Sequence, residues 1–215
     1  MRLGPIIPLF GGTVTSAYVT QTSSSSNATA YTFSSTSIGT AAGDRIVVVS
    51  VSGSASDESG NAMASLTVGG IAATKAAEAW HNGKLTAIWY AAVPTGTTAT
   101  IVATFGDSQT RCSIAVHTLT GASASPSDTA TTSGSGSSLS LSALTIPTDG
   151  VAIVSFANGS SSIVTWTNAT EDYDVAVESS DRHSGARRTT AGAPTITADG
   201  GSASQALVGA SWGPS

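Results

Sequence analysis

The residues best equipped for chemistry are three histidines, one cysteine and a short acidic run. Imidazole titrates nearest neutrality, so His81, His117 and His183 are the first candidates for proton transfer or metal ligation. Their surroundings do not complete a site. No pair of histidines has metal-ligand spacing, and the single Cys112 supplies neither a thiolate pair nor an intrachain disulfide. His81 falls at a hairpin turn, His117 on the outer face of a strand and His183 in a polar loop, so all three are expected at the surface. Serine is abundant, but none sits in a Gly-x-Ser-x-Gly elbow. His183-Ser184 beside Asp181 comes nearest to a Ser-His-Asp arrangement, and adjacency in sequence is not triad geometry. No catalytic residue and no cofactor is expected.

The most concentrated charge is Glu171-Asp172-Tyr173-Asp174. Paired carboxylates can hold calcium or drive glycoside hydrolysis, so Asp172 and Asp174 are the calcium candidates. The EF-hand pattern is absent, and strand alternation places both carboxylates on an exposed face, where charge also discourages unwanted strand pairing. Trp80, Trp89, Tyr90 and Trp166 would make a sugar-stacking platform if exposed, although their strand positions suit a core. Asn27, Asn158 and Asn168 begin glycosylation sequons, which chance supplies in a chain this rich in Ser and Thr.

These candidates must be positioned by strands. Charged residues make up 10% of the 215-residue chain, against roughly a quarter in an ordinary soluble domain. Ser, Thr, Gly and Ala fill the difference, which favours exposed strand faces and turns over helices. The expected fold is all-β, an antiparallel, jelly-roll-like β-sandwich. Asp44–Ser52 is apolar on both faces at its centre and reads as a strand between two covering layers. Lys84–Gly121 reads as a three-strand meander. Ile71–Trp80 is either a helix or a strand, and His81-Asn82-Gly83 favours a strand paired with Lys84–Ala91. Residues 122–138, rich in Ser and Gly, read as a linker or long surface loop. After it the pattern restarts: Val151–Phe156 echoes Ile46–Val51, and Trp212 falls where Leu119 falls. The domain reading is a sandwich over 13–215 containing two diverged halves, about 29–121 and 139–213.

Residues 1–12 read as an extended arm. Pro5 and Pro8 break any apolar signal sequence, so synthesis without standard export is expected. Leu3, Ile6, Ile7, Leu9 and Phe10 are too apolar for a solvated tail and are the expected interface residues, docked on a neighbouring subunit or on the chain itself. The net charge of −5 and scattered basic residues argue against nucleic acid. Nothing approaches the roughly 20 apolar residues of a membrane-spanning helix. A hydroxyl-rich surface costs less to desolvate than a charged one, which favours packing of many copies.

Several phrases resemble proteins from the structural gene regions of tailed bacteriophages. They are VPTGTTATIVATFG (Val93–Gly106), RCSIAVHTLTGA (Arg111–Ala122), IPTDGVAIVSF, WTNATEDYD and the closing GASWGPS. The resemblance covers about residues 38–215 and implies a non-enzymatic virion component with a β-sandwich fold, in capsid decoration or the tail. Its partners would be other virion proteins and further copies of itself as a homo-oligomer, its location the virion, assembled in the host cytoplasm. It transfers no site residue. The alternatives are a carbohydrate- or receptor-binding module and, third, a glycosidase.

Overall fold

A computed structural model describes residues 12–55 and 62–215. The first half comprises β1 (Thr15–Ser24), β2 (Ala28–Ser37), β3 (Ile46–Ser54), β4 (Met63–Val68), β5 (Ile71–Ala72), β6 (Thr74–His81), β7 (Lys84–Ala92), β8 (Thr98–Gln109) and β9 (Arg111–Thr120). The second comprises β10 (Asp128–Leu141), β11 (Val151–Asn158), β12 (Thr165–Thr167), β13 (Thr170–Glu178), β14 (Asp181–Arg188) and β15 (Ile196–Trp212). The described residues contain no helix, and every pairing is antiparallel, as composition led one to expect.

Three sheets result. Sheet I runs β1-β9-β3-β7-β6, sheet II runs β2-β8-β4-β5, and sheet III runs β10-β15-β11-β14-β13 with β12 on β15. Sheet II covers one face of sheet I, and sheet III covers the other. The core between sheets I and II holds Val47, Val49, Val51, Ile101, Phe105, Ile114 and Val116. Ile46, Val48, Ile88 and Leu119 meet Val151, Ile153, Val208 and Trp212 between sheets I and III. A third core lies on the far face of sheet III, around Phe156, Leu144 and Ile196. Long strands build it by bending: β10 shifts register between Gly136 and Ser138, and β15 turns at Gly201, where φ is 80°.

Sheets I and III have the same strand order, 1-5-2-4-3, when the five strands on each sheet's main path are ranked along the chain. Leu119 pairs with Ile46 and Trp212 with Val151, so the two closing residues occupy equivalent register positions. The sheets face each other in opposite sense: β1 lies near β13, β6 near β10, and β3 and β7 near β11. This is the arrangement of two like units related by an approximate twofold.

Two sequence expectations are corrected. Lys84–Gly121 is not a meander, because β7 and β9 both flank β3 while β8 crosses to sheet II. Buried Arg45 holds that crossing. Its guanidinium donates to the carbonyls of Val93, Ile38, Gly39, Thr95 and Gly96 at 2.7–3.2 Å, so five chain-reversal carbonyls satisfy one cation. Residues 122–138 are not a linker throughout, because Asp128 onward is strand β10, paired along β15. The segment that could have been helix or strand is strand β6. Asn82 and Gly83 both have positive φ, 44° and 73°, the turn that matches strand twist in a two-residue hairpin.

Candidate functional site

The seam between sheets I and III changes character along its length. Along β3, Ile46 and Val48 face the apolar end of the seam, and alternation then brings Ser50, Ser52 and Ser54 to the same face. Opposite them β11, β13 and β14 supply Ser155, Tyr173, Asp181 and His183, all buried. A polar network inside the molecule results.

His183 is its centre and is fully buried. Its Nε2 lies 2.9 Å from the Tyr173 hydroxyl and 3.1 Å from Ser155 Oγ, while Nδ1 lies 3.0 Å from Ser113 Oγ. Ser155 Oγ in turn meets Thr86 Oγ1 at 2.7 Å, and Gln21 Nε2 donates to Ser113 Oγ at 2.9 Å. Hydroxyls both donate and accept, so the neutral imidazole is satisfied in either tautomer. Burial lowers its pKa to about 3, with a further push from His117. The Tyr173 ring stands edge-on to His183 at 4.9 Å, and burial raises the phenol's pKa. Gly185 permits this, since a Cβ there would collide with the Tyr173 ring.

Charged groups close both ends of the network. At one end Asp172 accepts Arg187 Nε on both oxygens at 2.8 Å and faces His117 Nε2 at 2.9 Å. Arg187 Nη1 also donates to Ser16 O at 2.8 Å, tying the second half to β1. Burial lowers the pKa of His117 against the opposing pull of Asp172. Its Nδ1 has no hydrogen-bond partner among the described residues. At the other end Asp181 pairs with Lys84 and Arg111 and accepts Ser54 Oγ at 3.0 Å. Arg111 also pairs with Glu178.

These positions correct the surface reading of two histidines. His117 does point outward from the first half, but sheet III covers that face, and His183 lies on β14, not in a loop. His81 remains partly exposed at its hairpin, 3.1 Å from Ser135 Oγ. The exposed-face reading of Asp172 and Asp174 is also corrected, because their side chains are only 4% and 6% exposed. Each carboxylate is taken by a different arginine, Asp174 by Arg182 at 2.7 Å. No group of three or more His, Cys, Asp or Glu that could hold a metal ion occurs among the described residues. The Ser-His-Asp idea also separates: Asp181 is bonded to cations and not to His183, whose own partners are hydroxyls. Of the four aromatics, Trp80 alone is exposed. Trp89 donates to Met63 Sδ at 3.2 Å, Trp166 donates to Ser184 Oγ at 2.9 Å, and Tyr90 packs edge-on against Trp212. The arm residues Leu3, Ile6, Ile7, Leu9 and Phe10 lie outside the described residues.

Sequence reasoning missed the seam itself. Its signal was the switch within Ile46–Ser54 from Ile and Val to Ser on one face, matched by Val151, Ile153 and Ser155 on β11. A surface concavity of about 680 Å³ opens beside the Arg187 end, between Val14–Ser16 and Asn168–Thr170, with Arg188 and Thr190 on its wall. Arg188 is braced there by the Thr190 and Asn168 carbonyls at 3.2 and 2.9 Å.

No family model matches the chain, and neither a curated protein nor a solved structure is significantly similar to it. The class defined by fold and geometry is therefore an all-β protein of packed antiparallel sheets with a buried polar seam.

Proposed function

We propose that this chain is a non-enzymatic structural component of a tailed-bacteriophage particle, a capsid-decoration or tail accessory protein acting through contacts between subunits. The observation that carries the reading is strand order. The strand orders β1-β9-β3-β7 and β2-β8-β4-β5, taken with their connections, support a two-sheet jelly roll with β6 added at one edge. In the second half β10 and β15 are long and pair with each other on both sides of a register shift, and β15 also takes β11 along one stretch and β12 along the other. Jelly rolls recur in viral capsid and lectin domains. A surface dominated by hydroxyls, with few charges, supports close packing of copies. The bacteriophage resemblance of the strand-and-turn phrases adds to this. The test is particle composition. Density-gradient-purified particles from an infected or induced culture should contain the chain in fixed proportion to the major coat protein by quantitative mass spectrometry. Particles that lack it would overturn the reading.

One observation favours a second reading, a glycan-binding module. The 680 Å³ groove is lined by the hydroxyl residues Thr15, Ser16, Thr170 and Thr190 and by Arg188, whose guanidinium is braced by two carbonyls. Binding on a glycan array that disappears in Arg188→Ala would promote it.

A further inference from the structure

We propose that β10 is a subunit-pairing edge, and that two copies of this chain join β10 to β10, antiparallel about a twofold axis, so that sheet III continues from one copy into the next. The inference rests on reading the chain as an assembly component and names the surface through which it would assemble.

The edge strands of this molecule are not equally protected. An edge leaves alternate amides and carbonyls without a ladder partner, and proteins blunt that hazard with charge, proline, bulges or shortness. β13 carries Glu171, Asp172, Asp174 and Glu178 and two register shifts. β6 carries Lys75 and Glu78 and one shift, and β5 is two residues long. β1 and β2 are uncharged, but register shifts break both, and β1 is half-covered along most of its length. β10 has none of this protection over its first stretch. It runs 14 residues, has neither charge nor proline after Asp128, and pairs with β15 without a shift from Asp128 to Gly136.

Its exposed side chains alternate as Thr129, Thr131, Ser133 and Ser135. A hydroxyl donates and accepts, so such a row is complementary to a second copy of itself, and cross-strand Thr and Ser pairs stabilise antiparallel ladders. A charged partner would find no counter-charge on it. Both ends of the row are already engaged. Asp128 Oδ1 accepts the Thr129 amide at 2.8 Å, and Ser135 Oγ meets His81 Nε2 at 3.1 Å. Among the described residues the open run is therefore Ala130–Gly134, centred on Thr132. Twofold pairing about that centre sets Thr131 of one copy opposite Ser133 of the other.

The test is the association state of the full chain by sedimentation velocity across a concentration series. The wild type should dimerise. Thr131→Lys with Ser133→Lys sets like charges opposite one another across the axis and should weaken the dimer at least about tenfold. Thr98→Lys with Thr100→Lys, on the exposed face of interior strand β8, should leave it unchanged. Thr132→Cys should form an intermolecular disulfide under mild oxidation, because the two Thr132 residues meet on the axis and Cys112 is buried. That readout holds even if the lysine variant fails to fold. A monomeric wild type, a dimer indifferent to the β10 lysines, or no cross-link through residue 132 would each overturn the proposal. A chain found in particles yet monomeric would sink β10 pairing alone. A β10 dimer absent from particles would sink the virion reading alone.

Discussion

The two faces of sheet I are built on opposite principles. Toward sheet II, β3 presents Val47, Val49 and Val51, which pack on Ile101, Phe105 and other aliphatics. Toward sheet III the same strand turns from Ile46 and Val48 to serines, and the neighbouring strands add His117, Lys84 and Arg111. Apolar burial is strong but non-directional, so the first layer provides stability. Hydrogen-bonded networks are demanding about geometry, so the second fixes how the halves meet. The seam's stability should therefore depend on pH and on single polar contacts, whereas the layer against sheet II should depend on volume.

The largest effect tests the apolar side. Phe105 is 1% exposed and stacks edge-on with Tyr31 at 5.9 Å. Phe105→Ala should destabilise by about 3–5 kcal/mol, by an amount that hardly changes between pH 7 and pH 4. Equilibrium urea unfolding at the two pH values would measure it. A loss that varied strongly with pH would blur the distinction between the faces.

Acid is the matching probe of the seam. The folded protein holds His183 neutral down to about pH 3, whereas the unfolded chain protonates it at the ordinary imidazole value of 6.5. Between those limits the unfolded state binds the extra proton, so stability is complete above the upper value and falls as pH drops, by about 1.4 kcal/mol per unit. At pH 4 the loss should reach about 3 kcal/mol. His183→Gln should flatten this slope. Hydrogen exchange should show β11 and β14 losing protection before β4 and β8.

Next in size is Asp181. Removing it leaves Lys84 and Arg111 facing each other at the edge of the seam without their shared carboxylate. Asp181→Ala should cost about 2–3 kcal/mol, less than a fully buried pair because both cations retain some solvent. A double-mutant cycle with Lys84→Met would measure the coupling, and additive losses would mean that the pair does not join the halves.

How much of this could be read from the chain follows the same division. The buried strands β3 and β11 were legible because runs of Ile and Val on both faces suit a strand covered on both sides and little else. The hairpin at Asn82-Gly83 was legible because positive φ at two successive residues demands such a pair. His117 was placed on the outer face of its strand, away from the first core, but alternation cannot say that a second sheet will cover that face. β10 escaped because Ser and Gly, which suit turns, outnumber the strand-favouring Thr in it, and its pairing partner β15 lies far along the chain. The meander failed because a short connection can cross a sandwich as readily as it turns within one sheet.

The smallest effect sharpens the comparison at one atom. Gly185 lies on β14 directly under Tyr173, and its missing Cβ is the space that the phenol ring fills. Gly185→Ala must push the ring away from His183, loosening the 2.9 Å contact between the Tyr173 hydroxyl and Nε2. The strain itself should cost about 1–2 kcal/mol at neutral pH. If the seam works through directional contacts, the variant should also alter the acid dependence, because water admitted beside the imidazole makes its protonation easier and raises its pKa. The pH slope of stability should then flatten below about pH 5. A purely steric defect would instead lower stability equally at every pH, and thermal melts at half-unit intervals from pH 4 to 7 separate the two.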